Sequence, residues 1–333
     1  MNEILESVHG GPDAQGVAEH DFSTNANACG PCPAVLEAVQ RADASRYPDP
    51  HYAELREQLG AFHGVSAERV VMAASASEFM HRISALAARR GVRHARVPAH
   101  GYGDYSRAAQ AWGLVLTHDL SVSALHWACE PSSPLGSLDV AVSQWLRQPD
   151  AADWRVLDCA YAPLRLDGQS TIVPETAWQL WTPNKALALT GVRAAYAIAP
   201  AHVSPAQFHA LRAMAASWPV GAHGVAMLQA WTGAAAQRWL RESLVTLNRW
   251  KSDQMLVCDA LGWHIVGGSL ANYFTARLPA GCDMLRLLTT LRKHGIKLRD
   301  CASFGLPQHV RLGVLPPVSQ AALKRHAMGE YIQ

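Results

Sequence analysis

Lys185 stands apart in this sequence. Between Glu175 and Arg193 it is the only charged side chain, in the stretch Trp181-Thr182-Pro183-Asn184-Lys185-Ala186-Leu187-Ala188-Leu189-Thr190-Gly191-Val192-Arg193. The chain prefers arginine as its cation: Lys185 is its first lysine and Lys251 the next. An ammonium among small and apolar neighbours is costly to keep charged, and a neutral amine is the nucleophile that condenses with an aldehyde. Three further pieces carry chemistry. Ala74-Ser75-Ala76-Ser77-Glu78 runs from an apolar segment into a helical one, so Ser75, Ala76 and Ser77 offer bare N–H groups and hydroxyls to an anion at a helix start. His100-Gly101-Tyr102-Gly103-Asp104-Tyr105 presents an aromatic face, and Asp158-Cys159-Ala160-Tyr161 ends a strand with a carboxylate and a phenol.

Singly, each piece has a plainer reading. Serine is an ordinary N-cap, a carboxylate after a strand often caps the next turn, and a lone lysine commonly points to solvent. Jointly they match one ligand, an aldehyde that carries a phosphate and a pyridine nitrogen. Lys185 would join the aldehyde and Asp158 would keep the ring nitrogen protonated, so that the ring accepts electrons. Tyr102 would stack on the ring, and Ser75, Ala76, Ser77 and Arg193 would hold the phosphate. The cofactor so described is pyridoxal 5'-phosphate.

The elements that must position these groups follow an alternating pattern. Apolar strand candidates fall at Arg69–Ala74, Ala95–Pro98, Val115–His118, Ala124–Cys129, Val156–Tyr161, Trp178–Trp181 and Ala194–Ala199. Helical patterns at Glu78–Arg90, Gly103–Trp112 and Leu138–Arg147 lie between them. That alternation predicts an α/β fold with a mostly parallel sheet covered on both faces. Open sheets of this kind bind ligands at the strand ends, where the four pieces fall. Beyond Pro200 the texture changes to helices at Pro205–Ala216 and Ala222–Leu261, the second long and broken. Strand patterns follow around Gly267-Gly268 and at Lys297–Cys301 and His309–Leu315, with helices at Asp283–His294 and Ser319–Met328. These predict a smaller α+β domain. The domain expectation is an N-terminal arm over residues 1–45, a large domain over 46–225 and a small one over 226–333.

Composition excludes several classes. A formal net charge of +2 leaves no basic excess for nucleic acid. The stretch Met1 to His20 is polar and acidic, unlike a targeting peptide, and no apolar run reaches membrane-spanning length. Seven cysteines, an odd and scattered set, point to reduced thiols and a cytoplasmic protein. Cys29-Gly30-Pro31-Cys32 copies a redox tetrapeptide but lacks the strand before it, so it reads as a turn. The histidines form no cluster with metal-ligand spacing.

The chain resembles the fold-type I (aspartate aminotransferase-like) pyridoxal-phosphate enzymes along nearly its whole length. Within them it is similar to the histidinol-phosphate aminotransferase-like branch, most of all to the L-threonine-O-3-phosphate decarboxylases of cobalamin biosynthesis. The matching segments are His9-Gly10-Gly11, Asp21-Phe22-Ser23-Thr24-Asn25-Ala26-Asn27, Tyr47-Pro48-Asp49, Ala76-Ser77-Glu78, Tyr102-Gly103-Asp104-Tyr105, Asp158-Cys159-Ala160-Tyr161, Asn184-Lys185-Ala186 with Gly191-Val192-Arg193, and Val310-Arg311-Leu312-Gly313. The resemblance implies a seven-stranded sheet in the large domain. It implies that Lys185 carries the cofactor, that Asp158 pairs with the pyridine nitrogen and that Tyr161 reaches the ring hydroxyl, with Thr182 also in the cofactor set. Tyr47 would reach the phosphate in a neighbouring subunit, which implies a homodimer. Arg311 and Arg299 would grip the substrate carboxylate, and His9, Gly10, Gly11 and Asn27 would line the substrate side of a small phosphorylated amino acid.

Two positions depart from the family pattern. Glu130-Pro131-Ser132-Ser133-Pro134-Leu135-Gly136 stands where the family has Asn-Pro-Asn-Asn-Pro-x-Gly, so Ser133 replaces an asparagine that bonds the ring hydroxyl. Asn184 replaces a phosphate-binding serine before the lysine. The implied activity is decarboxylation of L-threonine O-3-phosphate to (R)-1-amino-2-propanol O-phosphate. The alternative is a histidinol-phosphate-type aminotransferase, and a cofactor-free paralogue used as a binding protein is the rival from another class.

Overall fold

The computed structural model describes residues 9–148, 154–169 and 173–328. The first eight residues of the expected arm and the last five of the expected small domain lie outside the described residues.

The apolar runs become one seven-stranded sheet. From edge to edge its order is Val70–Ala73, Ala195–Ile198, Trp178–Trp181, Trp154–Asp158, Ala124–Cys129, His94–Arg96 and Val115–Leu116. Every pairing is parallel except those of Ala195–Ile198, which runs antiparallel to both neighbours. Val70–Ala73 and Ala195–Ile198 are buried at every position, which is why they read as continuous apolar runs rather than alternating ones. The strand expected at Val156–Tyr161 sits earlier, at Trp154–Asp158, and this leaves Asp158 as its last residue.

Helix starts follow their capping residues. Ser75 caps Ala76–Arg89 through its hydroxyl, and Pro33 opens Pro33–Gln40 where a missing N–H costs nothing. The long helical pattern breaks between Ala222–Trp231 and Ala234–Ala260, at Thr232-Gly233. Thr232 turns its hydroxyl back to the Gln229 carbonyl at 2.8 Å there, and Gly233 caps the second helix.

A second, antiparallel sheet has the order Arg299–Asp300, His309–Gly313, Tyr273–Arg277, His264–Ile265. It encloses its own core around Trp263, Phe274, Leu287 and Leu312. Helix Ala234–Ala260 serves both cores, with Leu240 and Leu247 in the large one and Cys258 in the small one.

The single strand expected at Lys297–Cys301 is two pieces. Arg299–Asp300 joins the antiparallel sheet, whereas Ile296–Lys297 pairs in parallel with His20–Asp21 of the arm. The arm is therefore less irregular than its Asn, Gly and Pro content suggested. Phe22 is fully buried in the small core, and the Asp21 carboxylate takes the Ser23 N–H at 2.9 Å and the Thr24 hydroxyl at 2.7 Å.

Candidate active site

Asp158 lies at the end of the central strand, 4 % exposed. Burial pushes its carboxyl pKa up. The Tyr105 hydroxyl, donating at 2.7 Å, the Ala160 N–H at 2.9 Å and the charge of Lys185 all act the other way. Tyr105 comes from helix Gly103–Ala111 and is held flat against Trp127, with ring centroids 4.9 Å apart. A buried carboxyl group with two donors and no ion-pair partner among the described residues suits a positively charged ring nitrogen.

The neighbouring strand Trp178–Trp181 delivers Lys185 on a tight turn. The turn is closed by Leu187 N–H to the Pro183 carbonyl at 2.9 Å and Leu189 N–H to the Asn184 carbonyl at 2.8 Å. It puts Ala188 at φ 55°, in the left-handed region that a side chain disfavours. The Lys185 ammonium stands 4.8 Å from the centroid of the Tyr161 ring. Asn184 is spent inside the turn, its Oδ1 accepting from the Thr182 hydroxyl at 2.9 Å.

The arm clamps this turn from outside. Asn27 N–H donates to the Lys185 carbonyl at 2.9 Å and Cys32 N–H to the Leu187 carbonyl at 3.0 Å. The Asn27 amide bonds the Ala186 carbonyl at 3.1 Å and the Ser243 hydroxyl at 2.7 Å, while its Oδ1 accepts from the Cys29 N–H at 3.1 Å. Its N–H and Nδ2 thus brace the lysine turn, and its Oδ1 holds the arm. Asn25 is the asparagine that reaches the site. Its Nδ2 donates to the Tyr161 hydroxyl at 3.3 Å, and its Oδ1 is buried with no partner among the described residues. In a strand the two asparagines would share a face. Turns separate them here, which sequence spacing did not reveal.

Ser75, Ala76 and Ser77, expected to hold the phosphate, stand at the start of helix Ala76–Arg89. The Ser75 hydroxyl accepts the Glu78 N–H at 3.1 Å, leaving the Ala76 and Ser77 N–H groups at the open first turn. The Ser77 hydroxyl donates to Asp104 at 2.6 Å. Tyr102 lies edge-on to Tyr105, 5.8 Å away, with the His9 ring 5.7 Å on another side; burial first, then Asp104, raises its phenol well above the usual range. Arg193 is exposed. Tyr47 is exposed too, stacked 4.3 Å from the exposed Trp218. A single chain leaves both at the surface, apart from the buried cluster.

Arg299 and Arg311 face one another across adjacent antiparallel strands, and both are buried. Arg311 donates to the Ser133 hydroxyl at 3.0 Å and the Ser23 carbonyl at 2.8 Å, and its Nε has no partner among the described residues. No carboxylate pairs with Arg311 among the described residues. Arg299 donates to the Asp300 carbonyl at 2.6 Å and the Ser303 hydroxyl at 2.8 Å, over the Phe304 ring at 4.8 Å. Burial depresses the Arg299 pKa, and the charge of Arg311 depresses it further. Like charges opposite each other destabilise a sheet, and an anion between them relieves the repulsion. Ser133 thus serves Arg311.

The His9-Gly10-Gly11 segment is stapled to the same place. A Cβ on Gly10 would collide with the Ser23 carbonyl, and Gly11 has φ 98°. The Gly11 N–H donates to the Ser23 hydroxyl at 2.9 Å, and its carbonyl accepts from Lys297 at 2.6 Å. Arm, Ser23 and Arg311 form one continuous chain of contacts.

The donor set fits pyridoxal phosphate: an amine for the aldehyde, a buried carboxylate for the ring nitrogen, a phenol with an orphaned amide oxygen beside it, and a helix start for the phosphate. Bound there, the cofactor supplies an electron sink next to the amino-bearing carbon of a substrate. Among the described residues no group of three or more His, Cys, Asp or Glu is placed to hold a metal ion.

Fold and site together define a fold-type I, aspartate aminotransferase-like, pyridoxal-phosphate-dependent enzyme. The chain belongs to the family described as aminotransferase class I and II, whose model matches residues 19–119 and 170–328. It is 26 % identical over 331 residues to a histidinol-phosphate aminotransferase of Jannaschia sp. (strain CCS1), covering 89 % of this chain and 87 % of that protein. The crystal structure of histidinol-phosphate aminotransferase from Sinorhizobium meliloti in complex with pyridoxal-5'-phosphate superposes with a TM-score of 0.77 at 20 % identity, covering 92 % of this chain and 89 % of that one. L-threonine-O-3-phosphate decarboxylase from Porphyromonas gingivalis superposes equally well, with a TM-score of 0.77 at 19 % identity and coverage of 93 % and 98 %.

Proposed function

We propose that this enzyme acts at the amino-bearing carbon of a small phosphorylated substrate, and that its reaction is amino transfer of the histidinol-phosphate type. The observation that carries the phosphorylated substrate is the buried Arg299–Arg311 pair, whose cross-strand repulsion calls for an anion. Amino transfer is supported by the relatives, which are named histidinol-phosphate aminotransferases.

In this reading Arg311 and Arg299 bind the anionic end of the substrate and set its rotation over the cofactor ring. The bond that stands perpendicular to that ring is the one that breaks. Where it is Cα–H, the amine of Lys185, once displaced by the substrate, takes the proton. Asn25 holds the Tyr161 hydroxyl in place beside it.

Decarboxylation of L-threonine O-3-phosphate, the activity that the sequence alone put first, is the second reading. The His9-Gly10-Gly11 seat against Ser23 favours it, because the Gly11 N–H bonds the hydroxyl of the same serine whose carbonyl holds Arg311. There Arg311 and Arg299 turn the carboxylate out of the ring plane, and Lys185 returns a proton to Cα.

One experiment separates the two. The cofactor-loaded enzyme is mixed with histidinol phosphate plus 2-oxoglutarate, and separately with threonine phosphate. Amine exchange in the first mixture without carbon dioxide in the second supports amino transfer. Carbon dioxide from threonine phosphate, with no amine exchange, overturns it.

The exposed Tyr47–Trp218 stack supports a homodimer in which Tyr47 reaches the partner's cofactor phosphate, as the resemblance implied. All seven cysteines are free thiols, which supports a reducing compartment such as the cytoplasm. Among the described residues no helix is long and apolar enough to cross a membrane.

A further inference from the structure

The large sheet has an open edge at Val70–Ala73, and a cavity of about 230 Å³ lies along it. Arg56, Arg82 and Arg212 line that cavity, with His51, and no carboxylate among the described residues does. Two of the arginines cover the edge itself: Arg56 Nε donates to the Val70 carbonyl at 3.1 Å and Arg82 Nη2 to the Met72 carbonyl at 2.8 Å. Cationic side chains are a common guard of a sheet edge.

Edge protection uses only part of what is there. The Arg82 side chain is 2 % exposed, and both Glu78 oxygens pair with it, Oε1 with Nε and Oε2 with Nη2, each at 3.0 Å. Its Nη1 is buried with no partner among the described residues. Arg212 lies against the Phe208 ring, 5.9 Å from its centroid, and makes no ion pair with a described residue. Burial lowers the Arg56 pKa, the charge of Arg212 lowers it further, and the Glu68 carboxylate opposes both. Three guanidinium groups therefore line one space: Arg82 is held by both Glu78 oxygens, whereas Arg56 and Arg212 make no ion pair with a described residue and Glu68 acts only at a distance.

We propose that this cavity binds a small phosphate-bearing polyanion, separate from the Lys185 site. Guanidinium forks match phosphate oxygens in geometry and charge. The volume of about 230 Å³ equals that of roughly eight waters at about 30 Å³ each, room enough for a pyrophosphate.

The test is calorimetric titration of the cofactor-loaded protein with inorganic pyrophosphate, with ionic strength held constant by chloride. Expected is one pyrophosphate bound per chain. Affinity should fall at least about tenfold in Arg56→Gln/Arg212→Gln and stay unchanged in Arg299→Gln/Arg311→Gln, since a charge-assisted contact is worth about 1.5–3 kcal/mol. Ser217→Glu, which sets a carboxylate on the exposed lining and leaves the sheet edge untouched, should give the same loss. It keeps the question open to test if the double variant fails to fold. No binding by the wild-type protein, as when a second copy of the chain fills the cavity, overturns the proposal. So does binding that is lost in the Arg299/Arg311 variant and retained in the Ser217→Glu variant.

Discussion

Asp158 and Arg311 are both buried, yet they are held by different means. Asp158 ends the central strand of the large sheet, and its partners are Ala160, in the turn after its own strand, and Tyr105, from the helix after strand His94–Arg96 of the same sheet. Arg311 sits in the antiparallel sheet, and its partners Ser23 and Ser133 come from the arm and from the loop after Ala124–Cys129. The surroundings of Asp158 are thus built by elements of one sheet. Those of Arg311, the proposed substrate side, are assembled from three segments far apart in the chain. Damage to the first should remove chemistry, and damage to the second should change which substrate is held and how tightly.

The harshest test of that contrast is Lys185→Ala. Turnover should fall at least about a thousandfold, since the covalent anchor and the proton carrier are lost together. Borohydride trapping with peptide mapping should find the cofactor on Lys185 in the wild-type protein and nowhere in the variant. On the substrate side, Arg311→Gln should raise KM by roughly 10- to 100-fold, the worth of a charged hydrogen bond. Its cofactor absorbance should not change. If that spectrum changes as much as KM, the two sides are not separable. Arg299→Gln should give the same pattern more weakly, and measuring both variants against substrates with and without a phosphate would assign each arginine its anion.

Tyr105→Phe probes the cofactor side gently. It removes the strongest contact opposing the effect of burial on Asp158, so the carboxyl should hold its proton to higher pH. The acid limb of kcat/KM should move up, with a loss of roughly two- to tenfold near neutral pH.

The smallest effect on activity should come from His63, behind the strand that leads to Lys185, whose ring bonds the Tyr196 hydroxyl at 2.8 Å. Burial takes its pKa down from 6.5 to about 4. The unfolded chain therefore binds the extra proton first. Stability present above pH 6.5 should decline as pH falls towards about 4, by up to about 3 kcal/mol. Denaturant midpoints across that range should show the decline in the wild-type protein and a shallower one in His63→Gln, with turnover nearly equal.

Much of the cofactor side was legible without coordinates. Seven apolar runs became seven strands, and Ser75, Asp158 and Lys185 stand at element ends because capping and strand termination are local events. The substrate side was legible in type only. Arg299 and Arg311 were expected to work together, but their direct opposition depends on strand register. The resemblance named Asn27 for the substrate side and did not name Asn25, and turns rather than spacing decide that Asn25 meets Tyr161. Ser133 looked like a weakened cofactor ligand, and the fold gives it to Arg311.

By itself the sequence determined the chemistry: one isolated amine, one strand-end carboxylate and one helix start that together can hold a phosphorylated pyridine aldehyde. Those features need only a few adjacent residues, because each is set by backbone termini and short-range polarity. The tertiary structure alone decided the company each ion keeps. Burial of Phe22 and the pairing of His20–Asp21 with Ile296–Lys297 draw the arm across the small sheet. Only that long-range packing brings Ser23 to Arg311, and only the sheet edge gathers Arg56, Arg82 and Arg212 around one cavity.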